Sequence, residues 1–391
     1  MTRLALAAVL VWVAILSTMS VAADVAAKDQ QKWTQQIATI KAVGSEGAGT
    51  AQAQQAWKQL SQADVTAIWT ILWALDDANP LAANWLRASV DAIAERQLRN
   101  GGKLPKNDLE VFTLDTKHSP RARRLAFDWL CRADTTAADR LIPSMLNDPG
   151  LEFRRDAVAR VIAEAEQYET EKNPIAHGEY KKALTWARDL DQVQQIVKKL
   201  EGYGDKVDLT RHFGYLVKWK LIGPFDNTDE KGFDVLYPPE VGVDYKAEYD
   251  GKSGKVKWID YTSEDPYGKV DLNKALEKAN ATTGYAAAEF MAEKPTDVEI
   301  RLTSTNANKI WLNGELLTRN NVYHAGEQMD QYIGKGKMKA GRNIILVKVL
   351  QNHQKESWAQ DWNFQLRVCD ASGTAILSQD RVARDLRRSD R

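Results

Sequence analysis

Between Asp24 and about Leu200, apolar residues recur at three- and four-residue steps, the spacing of helices that bury one face. Val65 to Leu75 places Ile68, Ile71, Leu72 and Leu75 on one side and halts at Asp76-Asp77-Ala78-Asn79-Pro80. A second helix is predicted over Leu81–Leu98. The same arrangement then repeats. Leu109–Leu114 leads through Lys117-His118-Ser119-Pro120 into Arg121–Cys131, and Ala138–Leu146 leads through Asn147-Asp148-Pro149-Gly150 into Leu151–Ala165. Polar turns carrying Pro separate the members of each pair, and each second helix carries Arg near its start with a small Ala beyond: Arg87-Ala88, Arg124 with Ala126, Arg155 with Ala157. A further amphipathic helix is predicted over Tyr180–Leu200, ended by Gly202 and Gly204.

Beyond residue 208 the period changes to two. Tyr215, Val217, Trp219 and Leu221 alternate with polar residues, as do Val298, Ile300 and Leu302, and Phe364, Leu366 and Val368. Lys309 to Leu317 holds Asn313-Gly314, which supplies the positive φ angles of a two-residue hairpin turn. Asn343–Leu350 is apolar on both faces, as a central strand is. Several short strands with no helical pattern between them predict an antiparallel β-sandwich. The expected organisation is a leader over 1–23, a helical domain over 24–200, a linker over 201–207, a sandwich over 208–380 and a charged tail over 381–391.

The leader follows from its own pattern. Arg3 precedes an apolar run from Leu4 to Leu16, and Val21-Ala22-Ala23 offers small residues for a signal peptidase. Ser17, Thr18 and Ser20 leave the run short of the ~20 residues that span a bilayer, which weighs against the alternative of a retained anchor. The expectation is export to the periplasm or the extracellular space, with no later membrane span. Export permits disulfides, yet Cys131 and Cys369 fall in different predicted domains and read as buried small residues rather than a bridge.

The 391 residues allow two or three domains at roughly 100–200 residues each. With 53 basic and 53 acidic residues, the chain lacks the basic surplus of a nucleic-acid binder.

The third helical pair, Leu141 to Ala165, resembles a HEAT-type repeat; a compact helical bundle satisfies the same burial pattern. In the second half, Trp219-Lys-Leu-Ile-Gly-Pro-Phe-Asp226, Ile310-Trp-Leu-Asn-Gly-Glu-Leu316 and Ala340-Gly-Arg-Asn-Ile-Ile-Leu-Val-Lys-Val349 resemble the galactose-binding-like jelly-roll. Such modules accompany many secreted bacterial glycosidases. The resemblance implies a sandwich and allows a structural Ca²⁺, for which the oxygen-rich loop with Asp226, Asp229 and Asp234 is the candidate. No cofactor is otherwise required. The loop lacks the glycine an EF-hand requires and also reads as a plain solvated turn.

Catalytic patterns are missing from the sequence: no nucleophile elbow, zinc-protease helix, phosphate loop or dinucleotide glycine motif, and five scattered histidines. A non-enzyme is expected. Sugar sites need a flat aromatic with amide, carboxylate or Arg partners, and two segments have that mix. One holds Arg319, Asn320, Tyr323 and His324; the other holds Trp358 and Asp361 and ends at Trp362. Trp311, opposite in facing to Ile310 and Leu312, either contacts the helical half, which is the expectation, or stands exposed.

The functional expectation is an exported binding protein, its sandwich taking carbohydrate or cell-envelope polymer and its helical repeats contacting protein. Two alternatives stay open. One is a structural scaffold without a small ligand. The other is an envelope glycoside hydrolase or its accessory subunit, which needs two carboxylates facing each other at about 5–10 Å.

Overall fold

The structure is a computed structural model that describes residues 29–381; the leader and the tail beyond Arg381 lie outside the described residues. The chain divides into two compact units, Met1–Glu164 and Ala165–Arg391.

The first unit is helical: α1 (residues 29–41), α2 (Thr50–Leu60), α3 (Ala67–Ala74), α4 (Pro80–Arg99), α5 (Lys106–Leu114), α6 (Pro120–Ala133), α7 (Ala137–Leu141) and α8 (Leu151–Thr170), the last crossing into the second unit. The polar-Pro turns work as helix starts. Asn79 accepts hydrogen bonds from the Leu81 and Ala82 amides, Ser119 accepts one from Ala122, and Pro80 and Pro120 occupy the first helical positions. A continuous core runs from Ile37 to Ala157.

Of the recurring arginines, Arg124 links neighbouring helices. Arg124 pairs with Asp128 at 3.1 Å on its own helix and with Asp156 of α8 at 2.6 Å, while the Trp129 indole donates to Asp91 of α4. Beneath them Arg123 is fully buried. Its guanidinium grips both carboxylate oxygens of Asp148 at 2.8 and 2.7 Å and donates to the Thr113 carbonyl, tying the turn before α8 to α5 and α6.

In the second unit, the helix predicted over 180–200 is two helices, α9 (Ile175–Trp186) and α10 (Leu190–Gly202). Ala187 turns extended between them, and its buried carbonyl accepts hydrogen bonds from His212 at 3.1 Å and Arg188 at 2.7 Å. Arg188 also reaches Thr374, and Gln194 reaches Tyr267, so α9 and α10 are bonded to the sandwich. The division at Glu164 therefore precedes the change of period near residue 200.

After α11 (Leu209–Phe213) come β1 (Lys218–Asp226), α12 (Pro238–Val241), β2 (Glu248–Asp250), β3 (Lys255–Lys257), β4 (Ile259–Thr262), β5 (Val270–Asp271), α13 (Leu272–Ala275), β6 (Thr282–Ala292), β7 (Thr296–Thr303), β8 (Ala307–Leu312), β9 (Glu315–Asn320), β10 (Tyr332–Met338), β11 (Gly341–Gln351) and β12 (Asn363–Cys369). Two antiparallel sheets form a sandwich, one ordered β4-β1-β6-β11-β8-β9 and the other β10-β7-β12-β5; β2 and β3 pair separately. Trp219, Leu221, Phe290, Ile310, Val347 and Leu366 fill the space between them. The Asn313-Gly314 turn is present, with φ of 53° and 86°.

Strand β6 has no counterpart among the predicted elements. Its alanine run carries no alternation, yet it pairs along its whole length with β11, from Ala292 opposite Gly341 to Thr282 opposite Gln351. The outer face of this sheet is covered as well: Ile222, Phe225, Tyr285, Trp311 and Leu346 lie under Tyr237, Val243, Tyr245, Tyr249 and Trp258. Trp311 is therefore buried by the sandwich's own 237–258 segment, not by the helical half. Cys131 and Cys369 are both free thiols.

Candidate functional site

Three connections converge at one end of the sandwich: residues 226–234 after β1, 321–331 after β9, and 352–362 after β11. Their shared framework is amide-built. Asn227, almost fully buried, donates through Nδ2 to the Tyr323 hydroxyl at 3.1 Å and to the Gln351 carbonyl at 3.0 Å. Burial pushes the Tyr323 hydroxyl up to about 12, so it remains protonated. Asn306 ties the Gln351 side chain to the Asp361 carbonyl. Asn352, also buried, meets His324 Nε2 at 3.1 Å through Oδ1 and donates to Gln354 Oε1 at 3.1 Å and Glu230 Oε1 at 3.4 Å.

On this framework stands one exposed aromatic. Trp358 is 64% exposed, and its ring meets His324 edge-on at 5.2 Å; the Tyr323 ring lies 6.4 Å from His324. His324 adopts a left-handed backbone, φ 55°. Trp362, four residues beyond Trp358, is fully buried and donates to the Val349 carbonyl.

The six predicted ligand-binding residues thus separate. Tyr323, His324 and Trp358 come together. Arg319 and Asn320 are not loop residues but the end of strand β9, because β8 pairs as far as Asn308 opposite Asn320. Arg319 points to Asp234 at 2.8 Å and lies over the Phe233 ring, and Asn320 donates to Asn308. Asp361 is exposed, and its carbonyl serves Asn306.

The three candidate calcium aspartates do not converge. Asp226 accepts from Thr228 and faces Lys252 at 3.5 Å, Asp229 faces Lys231 at 3.0 Å, and Asp234 faces Arg319. Each carboxylate has its own cation, so these residues do not fit a shared Ca²⁺. Among the described residues no group of three or more His, Cys, Asp or Glu side chains is placed to hold a metal ion. Asn227 and Asn352 lie in the two polar loops and carry no distinguishing signal in the sequence; their importance comes from burial.

The arrangement offers an aromatic edge and face beside amides, a carboxylate and an imidazole, groups suited to an apolar ring face with hydroxyls around it.

No family model matches the chain, and no curated protein matches it. Among solved structures, an anti-sigma factor domain-containing protein is similar at 10% identity and a TM-score of 0.27, over 41% of this chain and 46% of that one. A β-glucosidase from Kluyveromyces marxianus in complex with glucose is similar at 10% identity and a TM-score of 0.26, over 77% and 37%. A GH31 α-xylosidase from Xanthomonas citri reaches 11% identity and a TM-score of 0.17, over 29% and 15%. The chain spans less than half the length of each. Scores this low carry no functional conclusion.

Proposed function

We propose that the sandwich is a jelly-roll carbohydrate-binding module and that the whole chain is an exported, non-catalytic binding protein. The observation that carries this reading is the contrast between the two loop tryptophans. Trp362 is consumed by the core, whereas Trp358 is held out at the loop end beside His324, Tyr323 and the Asn352–Glu230–Gln354 cluster. A large aromatic left in water on a rigid, hydrogen-bonded loop frame is the feature a sugar-stacking site requires. Export rests on the leader sequence, and no helix among the described residues is long and apolar enough to cross a membrane.

A second role, contact with protein through HEAT-like repeats, is favoured by the exposed face of α3. Trp69 and Trp73 lie one turn apart there and are 38% and 52% exposed, with Val111 and Leu114 exposed on α5.

The test is glycan-array binding by the chain from Asp24 onward. A specific hit lost in Trp358→Ala supports the site. A hit that survives keeps the carbohydrate function and removes this loop end from it. Silence across the array from a folded protein overturns the carbohydrate reading.

A further inference from the structure

A concavity lies on the outer surface of the six-stranded sheet. Cross-strand neighbours Trp311 of β8 and Leu346 of β11 form its floor, and α12 with the Gly242-Val243 turn forms one wall. The cavity measures about 320 Å³, within the range of small-molecule sites. Its charged groups are unevenly satisfied. Glu240 is buried and already neutralised, receiving the Lys348 ammonium at 2.7 Å and the Tyr285 hydroxyl at 2.5 Å. Arg342 shares its charge with Glu289 at 2.5 Å. Lys339 is exposed at the rim, and its ammonium has no ion-pair partner among the described residues. The open side thus presents roughly one uncompensated positive charge above the strip of Trp311 and Leu346 that the 237–258 segment leaves uncovered, 7% and 5% of the two residues.

We propose that this cavity binds a small ring compound carrying a single carboxylate. The ring would lie against Trp311 and Leu346, with the carboxylate between Lys339 and Arg342. The aromatic floor accepts a ring face, and a charge-assisted hydrogen bond from ammonium or guanidinium fixes the anion. One uncompensated cation suits a monoanion better than a phosphate dianion. A sugar acid and an aromatic acid both present this chemistry. The site shares none of the residues at the Trp358 end, so its success or failure is independent of the carbohydrate reading above.

Saturation-transfer NMR and calorimetry on the full chain would use glucuronate, benzoate and glucose as probes. Saturable binding of either carboxylate, with glucose weaker, supports the proposal; glucuronate alone assigns the sugar acid and benzoate alone the aromatic acid. Lys339→Glu, on the exposed rim, is expected to weaken that binding about tenfold. Val241→Trp, at a side chain 76% exposed on the same rim, is expected to fill the mouth and abolish it, whereas Trp358→Ala leaves it unchanged. The proposal is overturned if neither carboxylate saturates, if glucose binds as well as they do to the Trp358→Ala chain, or if affinity survives Lys339→Glu in a folded protein.

Discussion

The Lys348 ammonium and the Glu240 carboxylate meet at 2.7 Å with both side chains buried, joining the central strand β11 to α12. Lys348 also donates to the Val235 carbonyl at 2.9 Å, so one side chain fastens the segment that covers the outer face of the sheet. Burial pulls the lysine down to about 8, against the opposing pull of Glu240. Removing one partner leaves a charge in an apolar layer. Glu240→Ala is expected to cost about 3–5 kcal/mol in urea unfolding, and Glu240→Leu combined with Lys348→Met to recover most of that loss. A double variant as unstable as the single one would mean that the ion pair itself is net stabilising.

The two loop tryptophans are expected to behave oppositely. Trp362→Ala removes a fully buried indole and should cost about 3–5 kcal/mol. Trp358→Ala removes an exposed one and should leave the thermal midpoint nearly unchanged while abolishing binding of whichever glycan the array identifies. Comparing melting curves with binding isotherms for the pair separates a core residue from a contact residue.

Gly232 stands where no side chain fits. A Cβ there would lie 2.6 Å from the Asp226 carbonyl, 2.7 Å from Asn227 Oδ1 and 2.9 Å from Thr283 Oγ1. The last two oxygens are buried without a hydrogen-bond partner in the protein, so the neighbourhood already holds unpaired polar atoms. Gly232→Ala should destabilise the fold by about 1–3 kcal/mol, because it pushes on backbone rather than on a flexible chain end. It should also displace Asn227 from Tyr323, read as faster amide exchange in residues 226–234.

His212 makes stability depend on pH. Burial, reinforced by the neighbouring Arg188 charge, lowers its pKa from 6.5 to about 4, so the folded state holds the neutral ring that donates to Ala187. The unfolded chain takes up this proton near pH 6.5 and the folded one only near 4. The stabilisation is complete above about 6.5 and lost as pH falls through about 4, amounting to ~3 kcal/mol. Urea midpoints at pH 7, 5.5 and 4.5 should fall for the native chain and fall markedly less for His212→Gln, which keeps a donor. Parallel slopes would assign the acid sensitivity to other groups.

Much of the architecture is legible in the chain because it is decided by near neighbours. The Asn79-Pro80 and Ser119-Pro120 starts, the helices they open and the Asn313-Gly314 turn depend on φ preferences and hydrogen bonds within four residues. The inward facing of Phe364, Leu366 and Val368 follows from alternation alone. Other features required the folded chain. The alanine-rich β6 is a strand because β1 and β11 flank it and satisfy its backbone. Trp358 and Trp362 look alike in sequence, and only the packing of Trp362 against Gly284 of β6, with its hydrogen bond to Val349 of β11, decides which one is buried. Likewise Asp226, Asp229 and Asp234 read as one oxygen-rich loop, yet cations as distant in sequence as Lys252 and Arg319 draw Asp226 and Asp234 apart. Periodicity and turn chemistry act over a few residues. Burial and ion pairing act across strands that the sequence separates by dozens, so the candidate sites appear only once those strands meet.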